Sequence, residues 1–340
     1  MNILLTSVGR RSYMVSYFKE ALKGLGNLHT ANSIETYAML LADKSVISPL
    51  IYDESYINFL LSYSIQHNIE AIIPLFDLDL PLLAKNKSTF AAHGIKVVVS
   101  EYATTQICND KWLTYQFLLE HGFNTPKTYS SLKDCVLALK NAETHYPLII
   151  KPRWGMGSIG IYQVDDVDEL RVFYQKAKKD ILNSYLKHES SLEAENSVLI
   201  QEKLLGEEYG LDIFNDFEGN FLTCIAKKKL EMRAGETNSA EITDNPALLD
   251  LGKQLSQSLH HSANLDVDCL EVNHQYYILE LNCRFGGQYP FCHLAGANFP
   301  KAIINLLQGK EIEKELLEVQ AGTIGYKDIL PLQLKYKYPK

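Results

Sequence analysis

Tyr276-Tyr277-Ile278-Leu279-Glu280-Leu281-Asn282-Cys283-Arg284-Phe285-Gly286-Gly287 is an apolar run that ends in an acid, an amide and a cation. Read as a strand, it puts Glu280 and Asn282 on one face and Leu279 and Leu281 on the other, because strand side chains alternate. Glu and Asn oxygens are hard donors of the kind Mg²⁺ takes. Just upstream, Asp266-Val267-Asp268-Cys269-Leu270-Glu271-Val272 reads as a second strand, with Asn273-His274-Gln275 between the two. If those three residues form the hairpin loop, Asp268 falls directly opposite Glu280, with Cβ atoms roughly 4.5–5.5 Å apart. Three oxygen-bearing side chains then converge on one sheet face. The alternative is a solvated strand face with ordinary acids. A directly opposed acid pair is destabilising without a cation, which favours the metal reading.

The composition bounds the rest. A chain of 340 residues corresponds to two or three domains at roughly 150 residues each. Hydrophobic residues make up 46% and charged residues 22%, an ordinary globular balance. The formal net charge of −8 disfavours a nucleic-acid partner held by charge. No apolar run approaches the ~20 residues that span a bilayer. The N-terminus passes straight into a strand, without a cationic export region. The cysteines at 108, 135, 224, 269, 283 and 292 show no CxxC spacing, so neither a zinc knuckle nor a redox pair is signalled. Cys292-His293 reads as a packed pair before it reads as a ligand pair. Reduced thiols and no export signal point to the cytoplasm.

The first hundred residues alternate strands and helices. Strands are expected at Ile3–Ser7, 71–75 and 96–99, with helices at Tyr13–Leu22 and Pro81–Phe90. This is the pattern of parallel βα units. The first βα turn, Thr6-Ser7-Val8-Gly9-Arg10-Arg11-Ser12, is not a dinucleotide fingerprint. A helix opens at Lys111 after Asp110 and ends before Gly122. Pro147-Leu148-Ile149-Ile150-Lys151 is a short buried strand, followed by the loop Trp154-Gly155-Met156-Gly157-Ser158-Ile159-Gly160 and the strand 161–164. Asp165 is expected to cap the next helix. Residues 197–202 form another strand, and 209–214 pairs with 221–230 around Asp216-Phe217-Glu218-Gly219-Asn220. Asn245 caps and Pro246 opens a helix with Leu248, Leu251, Leu255 and Leu259 on one face. The basic tail 334–340 is expected to be mobile.

The loop glycines 155, 157 and 160 match GxGxxG, but here the pattern joins two strands, and a plain tight turn is a fair reading. Lys151 at the end of the preceding strand raises its interest. Backbone N–H groups of a glycine loop can wrap phosphate oxygens while a nearby ammonium neutralises them. A protein kinase would also need a histidine-arginine-aspartate loop and an Asp-Phe-Gly triplet, and neither occurs. Taken alone, Lys111 is an exposed helix lysine. The segment Glu202-Lys203-Leu204-Leu205-Gly206-Glu207-Glu208 is either a solvated acidic turn or a clamp that reads adenine by backbone groups and ribose by a carboxylate.

In this order, Lys111, Lys151 with its glycine loop, Gln201-Glu202-Lys203-Leu204 with Glu208, Asp268, and Glu280-Leu281-Asn282-Cys283-Arg284 resemble the ATP-grasp superfamily. The nearest branch is that of the carbamoyl phosphate synthase large subunit and the carboxylate–amine ligases. The resemblance covers about residues 1–310. It implies an α/β fold with an N-terminal Rossmann-like pre-ATP-grasp domain over 1–105 and an ATP-grasp domain over 106–310. The latter divides into a small glycine-loop lid (about 128–201) and a larger C-terminal α+β part, and a C-terminal extension covers 311–340. It further implies that Lys111, Lys151, Gly155, Met156, Gly157 and Ser158 hold ATP phosphates. Gln201, Glu202, Lys203 and Leu204 line adenine, and Glu208 holds ribose. Asp268, Glu280 and Asn282 hold Mg²⁺, with Mn²⁺ as the alternative, and Arg284 faces the γ-phosphate. One departure is Cys283, where the family usually has proline.

The chemistry so implied is an ATP-dependent ligation. A substrate carboxylate becomes an acyl phosphate with release of ADP, and an amine, usually of an amino acid, displaces phosphate. Alternatives are a phosphotransferase that stops at the phosphorylated acid and a non-catalytic ATP-binding regulatory module. The implied partners are a small-molecule carboxylate and an amine, with a homodimer as a compatible assembly, and neither nucleic acid nor membrane. For the substrate carboxylate, Arg233 is favoured over Arg10 and Arg11, by a bidentate pair. Asp77 and Asp79 end a strand at the edge where open α/β sheets bind ligands, and would hold an amine or cap the next helix.

Overall fold

The computed structural model describes residues 1–155, 160–329 and 331. Its first sheet contains β1 (Asn2–Thr6), β2 (Leu28–Asn32), β3 (Lys44–Ile47), β4 (Ile69–Pro74) and β5 (Lys96–Val97). All pairs are parallel, in the order β3-β2-β1-β4-β5. Strands buried on both faces are read as continuous apolar runs, and β1 is one. Ile3 and Leu5 enter one core with Met14, Val15 and Phe18 of the helix Ser12–Ala21. Leu4 enters another core with Ile72, Leu60 and Leu83. The last expected strand of this sheet is shorter than the sequence suggests, ending at Val97.

A second, four-stranded sheet contains β6 (Thr128–Tyr129), β7 (Leu148–Pro152), β8 (Tyr162–Val164) and β9 (Val198–Glu202), in the order β6-β9-β7-β8. The helix Val167–Leu182 covers it and is capped by Asp166, not by Asp165 as expected. Asp166 accepts from the backbone of Asp168 and Glu169, both at 2.9 Å. Asp165 is one residue too early for that geometry. The core of this unit, including Leu148, Ile150, Leu170 and Ile200, shares no residue with the other two. It is a separate hydrophobic cluster.

The third sheet is built from β10 (Glu207–Asn215), β11 (Phe221–Arg233), β12 (Glu236–Thr243), β13 (Asn264–Val272), β14 (Gln275–Asn282) and β15 (Ile324–Tyr326), in the order β14-β13-β10-β11-β12-β15. Leu211, Ile213, Leu265, Val267, Ile278 and Leu281 bury one face with Leu248 and Leu255 of the helix Pro246–Leu259. That helix is capped by the Asn245 side chain, as its sequence indicates. The loop between β13 and β14 differs from expectation. It has two residues, Asn273 and His274, both at positive φ (50° and 62°), which is the type I′ hairpin geometry. Gln275 already belongs to β14, pairing with Val272. Among the described residues no helix is long and apolar enough to cross a membrane.

Candidate functional site

The site forms where the third sheet presents its second face. Asp268 pairs with Glu280, and Asp266 with Asn282. Directly opposed residues share a face, so all four oxygen-bearing side chains lie on one face of the sheet; among the described residues no three acid, histidine or cysteine groups are gathered closely enough to hold a metal ion. The expected metal residues Asp268, Glu280 and Asn282 are thus placed on one sheet face.

Each carboxylate of the opposed pair is held by a lysine from another element. Lys111 Nζ lies 2.9 Å from Glu280 Oε1. Lys229 Nζ lies 2.7 Å from Asp268 Oδ1 and 3.6 Å from Glu208. Burial raises the Asp268 carboxyl above its ordinary range, with Lys229 opposing the shift and Asp266 and Glu280 adding to it. For Glu280, burial pushes upward too, but Lys111, Lys151 and Arg284 outweigh it and the net shift is downward. The two acids therefore differ in the ease with which each takes a proton.

Lys111 is aimed by its helix start. Asp110 caps the helix Lys111–Glu120, accepting from the backbone of Trp112 at 2.9 Å and Leu113 at 3.4 Å. The same carboxylate is gripped by Arg153 through Nε at 2.8 Å and Nη2 at 2.7 Å. This buried bidentate pair ties the helix to the end of β7. Lys111 Nζ also donates to the carbonyl of Gly155 at 2.5 Å, at the mouth of the glycine loop. Met156, Gly157 and Ser158 lie outside the described residues.

Lys151 is almost entirely buried on β7 and donates to Gln201 Oε1 at 2.8 Å. Gln201 in turn donates to Thr128 Oγ1 at 2.8 Å. Burial, then Lys111, lowers the Lys151 ammonium to about 8, while Glu280 resists the shift. Lys151, Lys111 and Glu280 thus feel one another across the gap between the second and third sheets. Residues 203–206 cross from β9 to β10. Here the Glu202 side chain accepts from the Lys127 backbone at 3.4 Å, and Lys203 Nζ donates to Gln163 at 2.6 Å. Leu204 is half-buried.

Arg284 is buried between the first and third sheets. Its Nε donates to Asp77 at 3.0 Å and its Nη1 to Asp266 at 2.9 Å. Burial alone would lower its pKa, but Asp77 and Asp266 hold it well above the ordinary value. Nη2 takes part in neither contact. Gln288 braces the same acids, donating to Asp266 at 2.7 Å and Asp268 at 3.1 Å. Arg11 donates to the carbonyls of Leu75 and Phe285, the latter at 2.8 Å. Asp79 is fully buried and accepts from Thr6 Oγ1 at 2.6 Å and Ser7 Oγ at 2.9 Å. Burial lifts it to about 6. Arg10 is exposed. Arg233 is exposed at the tip of the β11–β12 hairpin, and among the described residues no contact joins it to the cluster.

Sequence reasoning missed Lys229, Asp266, Arg153 and Gln288. Two had a signal. Asp266 shares the parity of Asp268, and Lys229 shares that of Lys227 on β11. Parity alone puts them on the site face. Lys227 pairs with Asp212 out of solvent, with Cys292 Sγ 3.2 Å from its ammonium. Cys292 packs there, fully buried. For Arg153 and Gln288 nothing local distinguishes them.

Residues 108–288, 181 of the 340, match the ATP-grasp domain family. The chain belongs to the ATP-grasp family. Residues 3–98 match the PylC-like N-terminal domain. Among relatives, a carbamoyl-phosphate synthase of Methanobrevibacter smithii is 23% identical over 325 residues, covering 91% of this chain and 82% of that protein. The carbamoyl phosphate synthase large chain of a Thermoanaerobacter strain is 21% identical over 262 residues, covering 73% of this chain and only 22% of that protein. The chain therefore spans about a fifth of that relative's length. Two solved structures share the fold. An L-amino acid ligase from Bacillus licheniformis aligns with a TM-score of 0.72 at 19% identity, over 98% of this chain and 81% of that one. The biotin carboxylase domain of Hydrogenobacter thermophilus 2-oxoglutarate carboxylase, in complex with MgADP and bicarbonate, aligns with a TM-score of 0.72 at 17% identity, over 95% and 73%.

Proposed function

We propose that this chain is an ATP-dependent ligase that activates a substrate carboxylate as an acyl phosphate and transfers the acyl group to an amine, most simply that of an amino acid. The observation that carries the reading is the opposed pair Asp268 and Glu280, each held by a lysine from another element. The named activities of the Methanobrevibacter carbamoyl-phosphate synthase and the Bacillus ligase support it.

The donor set fits a hard divalent cation. Two opposed carboxylates and an amide share one face, and their charge is balanced by ammonium groups on flexible stems that can withdraw. Asp268, Glu280 and Asn282 would hold Mg²⁺, or Mn²⁺ in its place, which offsets charge on the transferring phosphoryl group. Lys111 and Lys151 would then turn from the acids to ATP phosphates, with Gly155 and the loop beyond it covering them. The backbone of 202–204 would hold adenine, Gln201 would keep Lys151 in place, and Glu208 would take the ribose. Arg284 keeps Nη2 for the phosphoryl or acyl-phosphate oxygens while Asp77 and Asp266 fix its plane. Closure of the second sheet over the third would exclude water from the acyl phosphate. Arg233 stands outside this set, and its assignment to a substrate carboxylate rests on its place in the chain.

The test is a phosphate-release screen of the protein with Mg-ATP against a matrix of carboxylic acids and amino acids. Release that needs one of each supports ligation. Release with acid alone replaces the ligase by a phosphotransferase, and no release with any pair removes the reading.

A further inference from the structure

A cavity of about 240 Å³ lies between the carboxyl ends of the first sheet and the segment 185–188 of the second unit. Ser48, Tyr52, Phe76, Leu78, Tyr185 and His188 are among its walls, and among the described residues that line it there is no carboxylate, ammonium or guanidinium. Tyr52 stacks on His188 with ring centroids 4.2 Å apart, joining the two sides. The volume is room for roughly eight waters at ~30 Å³ each, which suits one amino-acid side chain and not a nucleotide.

Two features place this cavity against the acid–cation cluster. First, Phe76 and Leu78 flank Asp77, whose carboxylate holds Arg284 Nε at 3.0 Å. Second, His188 precedes Glu189, which accepts from Asn109 Nδ2 at 3.0 Å, and Asn109 lies two residues before Lys111. The cavity also opens where the first sheet reverses its order. β1 lies between β2 and β4, so the connections leaving β1 and β4 diverge, and Ser7 and Phe76 stand at their starts. Open α/β sheets bind ligands at such a point.

We infer that this cavity receives the uncharged, apolar side group of the acid or amino acid on which the ligase acts, so that its reacting end lies toward Arg284 and Lys111. The inference rests on the ligase reading for the identity of its ligand. A buried charge without a partner is strongly disfavoured, and these walls offer no counter-charge. Charged side chains are therefore rejected, while apolar walls and the stacked Tyr52–His188 pair favour branched or aromatic groups.

The experiment is calorimetric titration of the full chain, with a non-hydrolysable ATP analogue and Mg²⁺, using leucine, phenylalanine, glutamate and lysine, in parallel with phosphate release. Ser48→Leu fills the cavity and Phe76→Ala enlarges it. We expect leucine or phenylalanine to bind at least about tenfold more tightly than glutamate or lysine. Ser48→Leu should weaken that binding by roughly tenfold or more, and Phe76→Ala should shift preference toward the larger ring. Affinity for the ATP analogue should not change in either variant, which shows that they fold. Preference for charged amino acids, no binding of either apolar one, or apolar binding unaltered by Ser48→Leu overturns the inference. Phosphate release whose kcat/KM is blind to both substitutions also overturns it and leaves the ligase standing. Apolar binding that Ser48→Leu abolishes, with no phosphate release for any pair, keeps the cavity assignment and removes the ligase.

Discussion

Replacing Glu280 by Gln keeps the size and hydrogen-bonding capacity of the side chain and removes its charge. Among the described residues Glu280 is the one carboxylate within ion-pair distance of Lys111, at 2.9 Å, and the two side chains are only 27% and 14% exposed. Breaking a fully buried pair costs about 3–5 kcal/mol. Partial exposure lets water and Gly155 share the freed ammonium, so about 1–3 kcal/mol is expected here. That is a drop of several degrees in Tm, not loss of the fold. The effect on turnover is separate. If Glu280 holds the divalent ion, losing it removes charge from the point where the phosphoryl group transfers. A fall of at least ~100-fold in kcat corresponds to about 2.7 kcal/mol of transition-state stabilisation. The assay is phosphate release with saturating Mg-ATP and the substrate pair found in the screen, beside a circular dichroism melt. Glu271→Gln is the control, since Glu271 opposes Tyr276 on the other sheet face. It should leave turnover near wild type. A folded Glu280→Gln protein whose kcat stays within about threefold of wild type refutes the metal assignment and most of the mechanism with it.

Asp79 makes a prediction about stability and pH. Its folded pKa of about 6 lies above the ordinary 3.8, so between those values the native state holds a proton that the unfolded chain has lost. Stability should fall as pH rises through that window, reaching a penalty of about 3 kcal/mol above it. Asp79→Asn should therefore raise stability in denaturant melts at pH 8 and flatten the slope between pH 4 and 6; an unchanged slope contradicts the burial argument. Lys151, lowered to about 8, should lose charge well before an exposed lysine. ATP affinity is expected to decline as pH rises through 8, and Lys151→Met should weaken binding and abolish that decline. The same group's stability cost, present below pH 8, should ease between 8 and 10.5. Finally, a Cβ added at Gly286 would come within 2.1 Å of the Asp266 carboxylate that holds Arg284. Gly286→Ala should cost about 1–3 kcal/mol by thermal melt, with turnover lowered beyond what the melt explains.

Period-two alternation made it legible that Glu280 and Asn282 share a face, while the opposition of Asp268 and Glu280 was read from a three-residue loop and holds because an extra residue on β14 offsets the shorter turn. The lysine ladder of β11 was legible in principle, since Lys227 and Lys229 share a face. What the chain order could not show is contact between elements far apart in sequence. Arg284 meets Asp77 across 207 positions, and Glu189 meets Asn109 across 80. No periodicity encodes such a meeting, and both lie where one packed body touches another. The cavity belongs to the same class, being made of strand ends from one unit and a helical segment from another.

The hairpin carries a further point about how the site is made. The expected loop of three residues is a turn of two, which by itself would shift every pair by one. Asp268 would then oppose Leu279, and Glu280 would point into the apolar core beside Ile278. A one-residue slip inverts the faces of a strand. The register instead shifts between Asp268 and Cys269, leaving Leu279 as an extra residue on β14. That bulge restores the opposition of Asp268 and Glu280 and allows Ile278 and Leu281 both to reach the core. The N–H of Ile278 leaves the ladder and donates to the carbonyl of Asn124 at 2.8 Å, so the irregularity strands no buried donor. Bulges re-aim side chains next to functional sites, and here the tight turn and the bulge are one device. The turn fixes the hairpin, and the extra residue rotates the end of the strand so that an acid faces the nucleotide side. Deleting Leu279 should remove the bulge and leave a regular ladder in which Ile278 still opposes Cys269 and Glu280 still opposes Asp268, so a folded deletion variant should keep Mg-ATP turnover; one that folds and loses it would show that the register alone does not set the site.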